Sequence, residues 1–279
     1  MKRSSFVIIG LGLMGGSLGA SIRRRFPSVR VIGVSQTSRK IALAKRKKFI
    51  HDGFTQLKPA LRGAQFIVIC SPVNTIPHFI AQIDRYAEPG AIVTDVGSTK
   101  AEIVRWAARR RFKRIQFVGS HPLAGSHLKG LNHAQADLFE GALVFVTPLR
   151  NSSQTAVRAV SSFWKKLRTH VQMTSPEKHD QIVSQISHLP HAIASVLMHS
   201  VSSKALPYGA SGFLDTTRIA QGDPALWAPI FLTNQKNLLS DLRGFTKALH
   251  QLVHLLQGKS KRPLSNFLKR ASSKRQKLG

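Results

Sequence analysis

Residues 119–127 read GSHPLAGSH, in which His121 and His127 bracket a proline and a run of small residues directly after the apolar run IQFV at 115–118. Three readings are open to such a stretch. A histidine delivered by a buried strand can accept a proton near neutral pH, a pair of histidines can hold half of a metal site, and a histidine before proline can be only a turn residue. His188 and His191 in SHLPH raise the metal question again. Neither pair is accompanied by an acidic or cysteine partner, so no metal site is expected.

The second chemical signature is GLGLMG at 10–15. In a Gly-x-Gly-x-x-Gly fingerprint Gly10 permits a tight turn, Gly12 lets the backbone approach a pyrophosphate, and Gly15 lets helix and strand pack closely. Leu13 and Met14 then open the helix whose N-terminus receives the phosphates. A site for NAD would place Asp or Glu at the end of the second strand, about 20 residues on. This chain has Ser35 there, with Arg39 and Lys40 following. A serine does not repel a 2′-phosphate and two cations can bind it, so NADP is expected in preference to NAD.

These residues need elements to position them. Short β-branched runs at 6–10, 29–34, 66–70, 91–96, 115–118, 142–147 and 170–174 alternate with helix-compatible stretches. That rhythm predicts an α/β fold, a Rossmann-type doubly wound, mostly parallel sheet with helices on both faces. Ligands in such a sheet bind beyond the carboxyl ends of the strands. The residues that follow the strands are the glycine loop, Ser35, Cys70-Ser71-Pro72, Asp95 with Ser98, and His121. With a nicotinamide at that edge the chemistry is hydride transfer, with His121 as acceptor for a hydroxyl proton and Ser98 orienting it or touching the same hydroxyl. Cys70, in apolar company, reads as a buried and inert thiol.

After TSPEKHD the texture changes: Pro176 suits a first helical turn, and the chain is helical to Val201 with only Pro190 interrupting. A further helical stretch is expected from Leu226 to Leu256, with Leu238, Leu239, Leu242, Phe245, Leu249, Val253 and Leu256 spaced by one, three and four. The predicted organisation is a dinucleotide-binding domain over 1–175 and an all-helical domain over 176–279.

The 279 residues are 42% hydrophobic, enough for a core, and carry 42 Lys and Arg against 12 Asp and Glu, a net charge of +30. Such a surface attracts nucleic acid without specificity, but no RNA-recognition aromatic signature, zinc finger or helix-turn-helix accompanies it. A basic nucleic-acid-binding protein is therefore the second reading, behind an enzyme. The N-terminus imitates a signal peptide, yet five glycines within Gly10–Gly19 make a strand-to-loop junction instead. No apolar run is long enough to span a membrane, and a single cysteine fits a cytoplasmic protein.

GLGLMGGSLG, VICSPVNTI, VTDVGSTK, GSHPLAGSHLKG, SHLPHAIASVL and SGFLDTTRIAQGDPALWAPIFLTN occur in this order and at spacings that resemble the prephenate/arogenate dehydrogenases of tyrosine biosynthesis, from about residue 5 to the end. The resemblance implies oxidative decarboxylation of a cyclohexadiene acid: hydride leaves the hydroxyl-bearing ring carbon for the nicotinamide, carbon dioxide leaves the opposite carbon, and the ring becomes aromatic. It further implies His121 as acceptor from the ring hydroxyl, supported by Ser98, with Arg218 binding the ring carboxylate. His191 would lie near the substrate side chain with His188 in the same motif, and Trp227 near the site or interface. A homodimer through the helical domain is implied too. Where some members carry an acidic residue this chain has His127, which leaves no acidic gate against Arg218 and removes a counter-charge for the amino group of arogenate, so prephenate is favoured while either substrate stays open. A hydroxyisobutyrate-type dehydrogenase, the alternative enzyme, would use a helical-domain lysine that SHLPH does not offer.

Overall fold

The computed structural model describes residues 5–125 and 129–278. Among these, eight strands form one sheet: β1 (Ser5–Ile9), β2 (Arg30–Val34), β3 (Asp52–Phe54), β4 (Ala64–Ile69), β5 (Ala91–Asp95), β6 (Ile115–Pro122), β7 (Leu143–Pro148) and β8 (His170–Met173). Their order is β3-β2-β1-β4-β5-β6-β7-β8. Only the β6–β7 pair is antiparallel. The first six follow the doubly wound dinucleotide-binding order, whose direction reverses between β1 and β4.

Helices α1 (Leu13–Arg25), α2 (Ser38–Arg46), α3 (Leu57–Ala60), α4 (Ile76–Tyr86), α5 (Ala101–Ala108) and α6 (Gln154–Lys166) cover both faces. Successive side chains of a strand point to opposite faces. Val7 and Ile9 of β1 thus join a core with Ile76, Ile80 and Ile83 of α4 and Ile103 of α5. Ile8 joins a second core with Leu18 and Ile22 of α1 and Val160, Phe163 and Trp164 of α6. Continuous β-branched runs buried on both sides explain why β1 and β4 carry almost no polar residue.

From Pro176 onward every regular element is helical: α7 (Pro176–Val183), α8 (Leu189–Ser200), α9 (Ser211–Thr217), α10 (Pro224–Thr233), α11 (Gln235–Gln257) and α12 (Lys261–Gln276). A π-helical turn over Ser184–His188 joins α7 to α8, with the Leu189 N–H donating to the Ser184 carbonyl. Pro190, the interruption seen in the sequence, lies at the start of α8 just beyond it. Its missing N–H and ring bulk are absorbed by widening the preceding turn instead of ending the helix.

Two expected element boundaries shift. The strand containing IQFV runs four residues further, through His121 and Pro122. The helix expected over 226–256 is two helices parted at Asn234, whose backbone (φ −116°, ψ 24°) leaves the helical path. Residues up to Asn234 form one compact unit, and Gln235–Gly279 form a second in which α11 packs on α12. Among the described residues no helix is long and apolar enough to cross a membrane.

Candidate active site

The glycine loop lies at the reversal point. Gly10 follows β1 with φ +99°, the left-handed region that glycine tolerates, and a Cβ there would stand 2.5 Å from the Cys70 carbonyl oxygen beyond β4. The loops after β1 and β4 therefore touch backbone to backbone. A Cβ on Gly15 would strike the Gly10 carbonyl, whereas one on Gly12 would meet nothing within 4 Å. Gly12 caps α1 with no side-chain bond, and the first turn of α1 carries no acidic residue. Free N–H groups, the positive end of the helix dipole and open space beside Gly12 fit a pyrophosphate.

Around this cradle, Ser35 follows β2 and is buried, with its N–H donating to the Phe54 carbonyl at 3.2 Å. Arg39 and Lys40 are exposed on the first turn of α2. Ser71 and Pro72 shape the turn beyond β4, where the Thr75 hydroxyl lies 2.8 Å from Ser71 Oγ and 2.7 Å from the Pro72 carbonyl. Burial, and then the charge of Asp95, push the Cys70 thiol up, so it is no nucleophile.

His121 is carried to the same edge by a change of partner along β6. Ile115–Phe117 pair in parallel with β5, and Val118–Pro122 pair antiparallel with β7, with His121 opposite Phe145. The strand thereby runs past the end of β5, which excludes the turn reading. Its neighbour Ser120 points into the core, where it accepts from Trp164 Nε1 at 2.9 Å and donates to the Asp95 carbonyl at 2.6 Å. Alternation sends His121 to the other face, against α7.

There His121 Nδ1 lies 2.9 Å from Nε2 of His179, and His179 Nδ1 lies 2.7 Å from Oδ1 of Asp180. Asp180 also accepts the backbone N–H of Lys100 at 2.7 Å and of Ala101 at 3.0 Å, which ties α7 to the turn bearing Ser98. Phe145 stands edge-on to the His179 ring at 5.3 Å. Under this turn Lys100 and Asp95 form a fully buried ion pair. Asp95 also accepts from the N–H groups of Gly97 and Ser120, so its carboxylate belongs to the core and not to the site. Burial first, and then the neighbouring His179 and the Lys100 charge, hold His121 well below the usual imidazole range, in its neutral form.

Ser98 is half-buried on the same turn, and its hydroxyl has no protein partner among the described residues. His179, rather than Ser98, is the group that orients the His121 ring.

On the helical side, His188 and His191 are buried, and burial lowers the pKa of both, His188 to about 4. The His191 ring stacks on Trp227 with centroids 3.6 Å apart, and its buried Nδ1 has no hydrogen-bond partner among the described residues. Gly222 makes this stack possible, since a Cβ there would lie 2.6 Å from His191 Cε1 and closer still to Trp227. Arg218 opens a short 3-10 segment, Arg218–Gln221, that packs beside α8. Its guanidinium is exposed and unpaired among the described residues. His127 lies outside the described residues. Among those described, no three His, Cys, Asp or Glu side chains gather as a metal site would require.

His179, Asp180, Lys100 and Asn234 were not singled out by the sequence. A signal existed for two of them: Pro176, His179, Asp180 and Val183 are the buried positions of α7. A histidine and a carboxylate on the apolar stripe of an amphipathic helix are costly unless they have partners.

The fold and the glycine cradle define a class, the Rossmann-type oxidoreductases that work with a nicotinamide dinucleotide. The family model for the prephenate dehydrogenase nucleotide-binding domain matches residues 18–173, and that for the prephenate dehydrogenase dimerization domain matches residues 175–270. The chain belongs to the prephenate dehydrogenase family and is an NAD(P)-dependent oxidoreductase. It is 31% identical to a prephenate dehydrogenase of Bacillus subtilis over 99% of this chain and 76% of that protein. The crystal structure of prephenate dehydrogenase from Aquifex aeolicus in complex with hydroxyphenyl propionate and NAD+ superposes with a TM-score of 0.92 at 31% identity, over 100% of this chain and 99% of that one. Synechocystis arogenate dehydrogenase gives 0.83 at 29% identity, over 99% and 100%.

Proposed function

We propose that this enzyme oxidatively decarboxylates prephenate to 4-hydroxyphenylpyruvate in tyrosine biosynthesis, with arogenate, which would give tyrosine directly, as the competing substrate. The observation that carries the reading is His121 held neutral at the carboxyl edge, with Nδ1 engaged by His179 and its other ring nitrogen without a partner among the described residues. When bound, the nicotinamide supplies the hydride acceptor. His121 takes the proton of the ring hydroxyl as hydride leaves that carbon and carbon dioxide leaves the opposite one, and returns it to the phenolate oxygen of the product; aromatisation makes the step effectively irreversible. Ser98 offers its hydroxyl, which has no partner among the described residues, to the same oxygen.

Arg218 binds the ring carboxylate, a role suited to an exposed fork with no counter-charge among the described residues. His188 and His191 receive the substrate side chain, which would give the orphaned Nδ1 of His191 a partner. Trp227 holds His191 in place. Residues 1–175 hold the cofactor and 176–279 the substrate and a second subunit. Leu239, Phe245, Leu249, Val253 and Leu256 of α11 are exposed, as a homodimer contact would require. NADP is preferred to NAD, a reading supported by Ser35 at the end of β2 and the cations Arg39 and Lys40 on α2. The lone thiol suits a cytoplasmic enzyme.

The deciding experiment is a two-by-two assay of prephenate and arogenate against NADP and NAD. Turnover fastest with prephenate and NADP is expected. Absence of turnover in all four arms sinks the reading, and Arg39→Ala should weaken NADP more than NAD if the cofactor assignment is right.

A further inference from the structure

Asp180 stands between two histidines that the sequence separates. On one side its carboxylate meets His179 Nδ1 at 2.7 Å, and His179 Nε2 meets His121 Nδ1 at 2.9 Å. On the other its backbone carbonyl lies 2.8 Å from Asn234 Nδ2, which lies 3.1 Å from His188 Nδ1. All of these groups except His121 are buried.

Donor and acceptor bookkeeping along this path allows one arrangement. A carboxylate already taking two backbone N–H groups acts here as an acceptor, so the His179 hydrogen is on Nδ1 and its Nε2 carries a lone pair. Neutral His121 must then donate from Nδ1, which leaves Nε2 bare. A backbone carbonyl only accepts, so the amide nitrogen of Asn234 is the atom facing Asp180 and gives its second hydrogen to His188 Nδ1. Neutral His188 must then hold its own hydrogen on Nε2.

We propose that Asp180 and Asn234 are positioning residues that set opposite tautomers in the two histidines: His121 an acceptor at Nε2, His188 a donor at Nε2. The same path also fixes where each ring points, because each Nδ1 is held by a buried partner. The catalytic consequence rests on the proposed role of His121 as acceptor. A ring locked as an acceptor is ready for the hydroxyl proton without a tautomer exchange, and a ring locked as a donor suits a carbonyl or carboxylate oxygen of the substrate side chain.

The test reads tautomers directly. In full-length protein with 15N-labelled histidine, at about pH 8 where neutral imidazole prevails, long-range 1H–15N correlation is expected to show a protonated Nδ1 for His121 and a protonated Nε2 for His188. His179→Phe should release the His121 bias and lower kcat roughly 100-fold, short of the about 10⁴-fold loss that a wrong tautomer costs a Ser-His-Asp triad, with KM nearly unchanged. His179→Gln, whose carbonyl can still accept from His121, should restore the tautomer and most of kcat. Asn234→Leu should mix the His188 tautomers while leaving those of His121 as they were. An opposite tautomer at either ring in the native protein overturns the proposal, as does an unchanged His121 spectrum in a folded His179→Phe. Correct tautomers in a protein that turns over neither substrate would instead count against the proposed function alone.

Discussion

His121 and His179 are 58 positions apart in the chain, yet their rings stand nearly perpendicular with centroids 5.1 Å apart and nitrogens within hydrogen-bond reach. A strand that outruns its parallel neighbour brings the first, and the apolar face of α7 brings the second. Removing the proposed acceptor should separate chemistry from binding. His121→Asn is expected to lower kcat by about 10²–10⁴-fold, while cofactor affinity, measured by fluorescence titration, stays within about twofold because the glycine cradle is untouched. Near-normal turnover would show that another group takes the proton.

The buried histidines predict two pH effects. His121 is held well below 6.5, so the acid limb of kcat should lie below pH 6.5 rather than on it. Stability moves too: His188 is lowered from 6.5 to about 4. The unfolded chain therefore binds its proton first as pH falls, and native stability drops through that window, by about 3 kcal/mol for this one group. His179 and His191, lowered in the same direction, add to the loss. Urea midpoints at a series of pH values should decline steadily on the acid side, and a flat profile from 6.5 downward would contradict the burial of these rings as neutral groups.

Gly12 and Gly15 should fail in different ways. A methyl on Gly15 collides with the Gly10 carbonyl, and backbone cannot yield as a side chain does. Gly15→Ala is expected to cost about 2 kcal/mol or more in chemical denaturation. Gly12 has open space and extended backbone, so Gly12→Ala should fold within about 0.5 kcal/mol of the parent. Its defect should appear as weaker dinucleotide binding, about tenfold or more, since the added methyl occupies the pyrophosphate approach. Equal stability losses in both variants would refute this division of roles.

Arg218 is exposed and bonds to no described residue, so its replacement should leave the fold alone. A charge-assisted bond to a carboxylate is worth about 1.5–3 kcal/mol, so Arg218→Ala should raise the substrate KM by roughly 10–100-fold with a smaller change in kcat. Arg218→Lys, which keeps the charge but loses the fork, should recover only part of the affinity. An unaltered KM would place the carboxylate elsewhere.

Much of this was legible in the chain itself, because local patterns carry it. Alternating β-branched runs and helical stretches give the doubly wound sheet, and the glycines at 10, 12 and 15 are demanded by backbone approach within a few residues of themselves. GSHPLAGSH marked His121 from its place after an apolar run. The length of β6 was not legible there, since the run to Pro122 exists only because β7 returns antiparallel beside it. Nor was the break at Asn234, where a buried amide bonded to Asp180 and His188 stands inside a sequence that reads as helix.

The sequence by itself determined seven of the eight described strands, the cradle and the strand end that carries His121, all of which follow from periodicity and from steric needs of neighbouring residues; β3 (Asp52–Phe54), too short to show a pattern, escaped it. Only the tertiary structure decided what holds that histidine. His179, Asp180 and Asn234 look like ordinary helix and turn residues in the chain, and they become a hydrogen-bonded path because folding buries them together where water cannot satisfy them.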